Sequence, residues 1–184
     1  MAFINSSTAS KSSVSDNSKI SLHASYIDYE TVNALDSDAE LIVIGTPLKN
    51  FDDREHVVTN FDDGAVQDFY TLTDIQVDKI IKAPESSTLK TDEGLTIIEP
   101  ISYIESDQGK RKITYEDYTE LKQNEKSIIF LKQNTQGVYS VINMDLGKFP
   151  LSDTSEISRS LTSEEHNSKE EFRKEVLEKY DLES

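Results

Sequence analysis

Five apolar runs, Leu41 to Leu48, Phe69 to Ile81, Leu95 to Ile101, Ser127 to Leu131 and Val138 to Met144, dominate the core-forming capacity of this chain. Each is short and rich in β-branched or aromatic residues, the signature of strands. Polar, Ser-rich or acidic stretches separate them and flank them, and such stretches cannot bury enough surface to offset the entropy of ordering. The expectation is a small β domain with long polar ends.

At 184 residues and 35% hydrophobic content the chain is long enough for one ordinary domain. Residues 1–19 read as a flexible Ser-rich leader, 20–151 as the β domain, and 152–184 as an acidic tail carrying an amphipathic helix. Such a leader suits a tether to a membrane anchor, and equally a linker or an ordinary disordered end. With 19 basic against 35 acidic residues, the net charge of −16 repels polyanions, so nucleic acid and anionic membrane are poor partners. The absence of cysteine excludes disulfides, thiol catalysis and Cys-ligated metal centres. No apolar stretch approaches the ~20 residues of a membrane span, so no membrane insertion is expected, and a signal-peptide core is missing.

Along the chain, Ile27, Val32 and Leu35 suggest a short helix between Tyr26 and Asp36. In the run LIVIGTPL, Gly45 marks a bulge or bend and Pro47 the end of regular pairing. Lys49 to Asp68 reads as a long loop or weak hairpin around Val57 and Val58. In FYTLTDIQVDKIIK the apolar face changes sides between Leu72 and Ile75, which predicts a strongly bent or bulged strand. LTIIEPI is a strand ended by Pro100, and Ile113 closes a short strand. Thr114 and Asp117 have capping-box spacing, predicting a helical turn with Tyr118 and Leu121 facing inward, and Asn124 suits a left-handed turn. SIIFLK and VYSVINM form a hairpin through Asn134 and Gly137, and Gly147 to Leu151 completes the sheet. In SKEEFRKEVLEKY, Phe172, Val176 and Tyr180 form a helical stripe beside Leu177, with Ser168 and Glu171 as capping box and Lys174 paired to Glu178. That helix is open to docking on the barrel, dimerising or partial order.

The segments ALDSDAELIVIGTPL, YTLTDIQVDKIIKAPE, LTIIEPI, YTELKQNEKSIIFLK and GVYSVINMDLGKFPL together resemble a group of poorly characterised extracytoplasmic proteins of Gram-positive bacteria. In those proteins a short helix precedes a strand of the form dlIviGtV, and a later strand ends in a gkF motif. The order of elements is also similar to the netrin-like OB-type barrel of tissue inhibitors of metalloproteinases. The resemblance spans Tyr26 to Leu151. Ala83 and Asn124 stand where the pattern has glycines, and the cysteine that those inhibitors use to chelate metal has no counterpart here. The resemblance implies a five-stranded OB-like barrel and an exported, cell-surface setting, with the signal or anchor outside this sequence and Met1 not necessarily native. It assigns no functional residue.

The candidate chemistry is sparse. Asp52, Asp53, Asp62 and Asp63, with Asp68, are the one concentration of hard-cation ligands, and Gly64 offers a turn, but the spacing is not that of an EF-hand. They are the calcium candidates, set against solvated acidic pairs in a polar loop. His23, His56 and His166 lack zinc spacing and are expected at the surface. No nucleophile elbow or phosphate-binding glycine loop is present. Tyr70, Tyr103, Tyr115, Tyr118 and Tyr139 suit either a ligand platform for glycan or protein or a packed barrel rim. Lys110, Arg111 and Lys112 are expected in a turn between strands.

The first expectation is therefore a non-enzymatic, exported surface module that binds a protein or cell-wall ligand. The second is a calcium-dependent or hydrolytic surface protein using residues 51–68. A cytoplasmic acidic partner protein is the third.

Overall fold

The β-branched runs form strands, and the strands close into a ring. The computed structural model describes residues 19–23, 27–107, 109–152 and 163–182. Its elements are β1 (Lys19–Leu22), α1 (Val32–Asp38), β2 (Leu41–Pro47), β3 (Glu55–Asn60), β4 (Val66–Lys82), β5 (Gly94–Glu99), β6 (Ile101–Ser106), β7 (Gly109–Tyr115), β8 (Ser127–Gln133), β9 (Tyr139–Val141), β10 (Lys148–Pro150) and α2 (Ser163–Lys179).

Strand order β8-β2-β4-β5-β9, with β9 pairing back onto β8, closes a five-stranded barrel. Counted in chain order, these ring strands run 1-2-3-5-4 and return to 1. The third and fifth, β5 and β9, are parallel, with Ile97 opposite Tyr139 and Ile98 opposite Ser140. This is the Greek-key arrangement of a small OB-like barrel. β10 extends the ring beside β8, β3 forms a hairpin with β4, and β6 and β7 form a second hairpin that β1 joins in parallel.

The uninterrupted apolar character of β2 and β8 follows from burial on both faces. Leu41, Val43, Ile129 and Leu131 point into the barrel with Ile75, Val77, Ile97 and Val141. Ile42, Ile44, Ile128 and Phe130 point outward and are covered by Val32 and Leu35 of α1 and by Phe172 and Val176 of α2. Burying each such side chain contributes roughly 1.5–3 kcal/mol, which gives α2 a firm seat despite its polar sequence. Docking on the barrel is thus the observed state of the C-terminal helix. α2 begins at Ser163, so Ser168 lies in its interior and caps nothing. The ion pair found along its surface joins Arg173 to Glu170 rather than Lys174 to Glu178.

α1 starts later than its apolar spacing suggests. Thr31 caps it, its hydroxyl accepting from the Ala34 N–H at 3.1 Å. Ile27, 68% exposed, contributes nothing to its buried face, and Tyr26 lies outside the described residues, as do residues 1–18 of the expected leader. β1, from Lys19, spans the expected boundary between leader and domain.

β4 corrects a phase error. Its inward face does not switch between Leu72 and Ile75: Phe69, Thr71, Thr73, Ile75 and Val77 are all buried in strict alternation. Two of the five are threonines, whose hydroxyls hydrogen-bond to the Ile101 carbonyl and to Glu99, so apolar character alone misses the inward face. The bend is real and sits further along. The pairing of β2 with β4 slips between Ile42 and Val43 and again at Gly45, where an added Cβ would lie 2.7 Å from the Ile75 Cδ1.

The segment after Thr114 forms a turn instead of a helix. Glu116 and Asp117 both adopt left-handed backbone, at φ 49° and 57°. Tyr118 and Leu121 nevertheless face inward as expected and are buried among the barrel residues. Asn124 is left-handed at φ 65°, and the β8–β9 turn contains Gly137 at φ 81°. Lys110, Arg111 and Lys112 lie within β7 itself and not in a turn.

Candidate functional site

The two walls of the barrel differ outside as they do in sequence. The helices cover the outer face of β2 and β8 and reach the C-terminal end of β4, where Ile81 packs against that layer and Lys82 bonds the Asp36 carbonyl, whereas Leu72, Ile98 and Ser140 on the outer face of β4, β5 and β9 lie outside the helix-covered cluster. Register aligns Leu72, Ile98, Ser140 and Lys132 across four strands on this outer side. A cleft of about 470 Å³ opens there. The β3–β4 hairpin contributes Thr59, Asp68, Phe69 and Tyr70. Ile98, Ser140 and Val141 come from β5 and β9, Pro100 from the link between β5 and β6, Tyr115 from β7, and Asn134, Thr135 and Gln136 from the β8–β9 turn.

Local sequence fixes each wall. Tyr115 stacks on Phe69 with ring centroids 4.2 Å apart and planes 12° off parallel. Its hydroxyl lies 3.5 Å from Asp68 Oδ1. Burial, reinforced by the charge of Asp68, raises the Tyr115 pKa, so the hydroxyl keeps its proton at neutral pH. In the opposite wall Asn134 Oδ1 accepts from the backbone N–H groups of Gln136 and Val138 at 2.9 and 3.0 Å. That Asx turn holds the Asn134 amide in one orientation. Asp68 is the one Asp, Glu, Lys, Arg or His among the lining residues.

The acidic candidates are not gathered in the cleft. Asp52 and Asp53 sit in a single 3₁₀ turn, Phe51–Asp53, where Asp52 accepts from the Tyr103 hydroxyl. Asp62 and Asp63 occupy the exposed β3–β4 turn, where Asp63 Oδ1 accepts from the Ala65 N–H at 2.9 Å and Gly64 takes φ 90°. The six residues of β3 separate the two pairs, roughly 20 Å of strand. Asp68 lies apart from both, across from Thr59. Among the described residues no three His, Asp or Glu side chains converge as a metal site would require.

The histidines are dispersed. His23 is exposed and lies 3.3 Å from Glu116. His56 departs from the expected surface position: it is half-buried, its ring packed between Phe51 and Tyr103 with Nδ1 2.8 Å from the Thr71 hydroxyl. Burial lowers its pKa. The His166 side chain lies outside the described residues.

The tyrosines divide between the cleft and the packed interior. Tyr70 and Tyr115 line the cleft, Tyr103 joins Phe51 and His56, and Tyr118 is fully buried against Glu99. Tyr139, half-buried, follows the β8–β9 turn. Thr59, Gln136 and Ser140 were not singled out by sequence, and Asn134 was read only as a turn residue. The Asn134 to Gly137 turn was legible, but its approach to β4 and Tyr115 is a product of barrel closure.

No family model matches the chain, and no curated protein or solved structure matches it.

Proposed function

We propose that this protein is an exported, cell-surface binding module without catalytic activity, and that its ligand seat is the cleft over β4, β5 and β9. The observation carrying this reading is the asymmetry of the barrel: helices cover one wall, and the other opens on a cleft of about 470 Å³. That volume falls within the ~300–1,000 Å³ typical of ligand sites. OB-type barrels commonly use the face of their second and third strands, with the adjoining loops, to hold extended ligands. β4 and β5 are those strands here, and the β8–β9 turn is one of those loops.

The lining supports binding over turnover. Its hydroxyls, on Thr59, Thr135 and Ser140, have no histidine among the lining residues to take up a proton. It holds no lysine or arginine, which with the net charge of −16 argues against a nucleic-acid partner. No helix among the described residues is long and apolar enough to cross a membrane. The cell-surface setting rests on the resemblance of Tyr26 to Leu151 to extracytoplasmic proteins.

The test is retention of labelled protein on isolated Gram-positive cell-wall material, compared with Ser140→Tyr. Ser140 is half-buried on the outer side of β9, so a tyrosine there fills the cleft while leaving the core intact. Retention by the native protein and its loss in the variant are expected. Equal retention by both, or by neither, overturns the reading.

A further inference from the structure

We infer that the ligand of this cleft is a neutral oligosaccharide, an inference that rests on the cleft being the binding face. The chemistry of the lining carries it. Hydroxyls of Thr59, Thr135 and Ser140, amides of Asn134 and Gln136, and the Asp68 carboxylate provide donors and acceptors on several sides of one space. Such a mixture complements vicinal sugar hydroxyls, each of which donates one hydrogen bond and accepts others.

Asn134 is the best-defined donor. Its Oδ1 is committed to the N–H groups of Gln136 and Val138, which fixes the amide plane and orients the two Nδ2 hydrogens before a ligand arrives. Asp68 supplies an acceptor on the opposite wall, beside the Tyr115 hydroxyl. Between them Tyr70, Ile98 and Pro100 supply apolar surface of the kind on which the C–H face of a pyranose ring packs. A volume of about 470 Å³ has room for a short oligosaccharide.

Two other ligand classes fit less well. An anionic polymer meets Asp68 and no compensating cation in the lining. An extended peptide bound through its main chain needs an open strand edge. β5 is already hydrogen-bonded to β4 and β9, and β9 to β5 and β8, so the floor offers none, and the open edge of β3 reaches the lining through Thr59 alone.

The experiment is an ¹⁵N-resolved titration of the full chain with neutral β-glucan, mannan, galactan and chitin fragments. A sulfated oligosaccharide and a mixture of unstructured peptides serve as parallel arms. Expected are amide shifts at Tyr70, Gln136 and Ser140 with at least one neutral oligosaccharide, little changed by salt. Asn134→Asp keeps the acceptor that the turn requires and removes the two Nδ2 donors, so it should fold normally and bind about tenfold more weakly. If peptides or the sulfated sugar shift these residues while neutral sugars do not, the oligosaccharide is wrong and the cleft remains the binding face. If no probe shifts them and Ser140→Tyr leaves cell-wall retention intact, both inferences fall.

Discussion

Arg54 donates from Nη1 to Glu99 Oε2 at 3.1 Å, and both side chains are almost wholly buried, at 1% and 0% exposure. Glu99 also accepts from the Tyr118 hydroxyl at 2.6 Å, the Leu121 N–H at 2.8 Å and the Thr73 hydroxyl. Arg54 donates in addition to the Lys49 and Leu121 carbonyls. Through Glu99 and Arg54 the Tyr118–Leu121 turn is tied to β4 and β5 and to the Lys49–Arg54 segment, so this network does for that inward-facing turn what backbone ladders do for strands.

Glu99→Gln leaves the buried guanidinium without its counter-charge, and the expected cost is about 3–5 kcal/mol. Adding Arg54→Met should recover part of that loss, because the stranded charge disappears with it. Chemical denaturation of the single and double variants checks this. Additive losses would show that the two side chains are not energetically coupled.

Asp145 joins the C-terminal helix to the barrel. Its Oδ2 lies 2.7 Å from Lys169 Nζ of α2, and its Oδ1 accepts from the Thr119 N–H and lies 3.4 Å from Lys148 Nζ. Burial pushes the Asp145 carboxyl upward, but the two lysines and the hydrogen bonds outweigh it and bring the pKa down to about 2. A carboxylate depressed in the folded state stabilises fully above its unfolded pKa, near 4, and loses that contribution as pH falls toward 2. Asp145→Asn should therefore cost about 2 kcal/mol at pH 7, with the gap to the native protein closing between pH 4 and pH 2. Urea midpoints across that range measure it. A gap independent of pH would exclude the charge as its source.

Much of this fold was legible because burial on both faces leaves a plain mark. Leu41 to Ile44 of β2 and Ile128 to Leu131 of β8 are apolar residue after residue, and each is buried inside the barrel or under a helix. The inward face of β4 was hidden by Thr71 and Thr73, whose hydroxyls are satisfied by partners far along the chain. β6 and β7 were largely missed because Lys110, Arg111 and Lys112 read as solvated turn residues. Lys112 instead bonds Glu120 at 2.7 Å, and Lys110 lies over the Tyr103 ring. The cleft was the least legible part: its walls come from residues as distant as Thr59 and Ser140, and no local pattern encodes their meeting.

Asp52 with Asp53, and Asp62 with Asp63, stand at opposite ends of β3, and calcium needs six to eight oxygens around one point. Millimolar calcium should therefore leave the thermal midpoint where EDTA leaves it, and Asp62→Asn/Asp63→Asn should melt with the native protein. A calcium-dependent rise of several degrees, lost in that double variant, would restore the acidic turn as a functional site.

β1 holds a strained turn next to Tyr115 of the cleft wall. Its Leu22 carbonyl accepts from the Glu116 N–H at 2.8 Å, and its Ser21 hydroxyl accepts from the Asp117 N–H at 2.9 Å. Glu116 and Asp117 are consecutive non-glycine residues in left-handed backbone, a conformation costing on the order of 1 kcal/mol each unless neighbours enforce it. β1 contributes only four residues to one edge of β7, whereas the barrel core lies on other strands. A chain beginning at Ile27 should consequently remain folded and cooperative, while the amides of Glu116 and Asp117 exchange with solvent about tenfold faster or more. Those of Val43 and Ile129, inside the barrel, should exchange as before. Because Tyr115 pairs with Leu22 and stacks on Phe69, its ring should also gain mobility, and oligosaccharide binding should weaken with it. Hydrogen exchange followed residue by residue decides the matter: uniform acceleration across the barrel would make β1 part of the global folding unit, and unchanged exchange at Glu116 and Asp117 would mean that the turn holds its shape unaided.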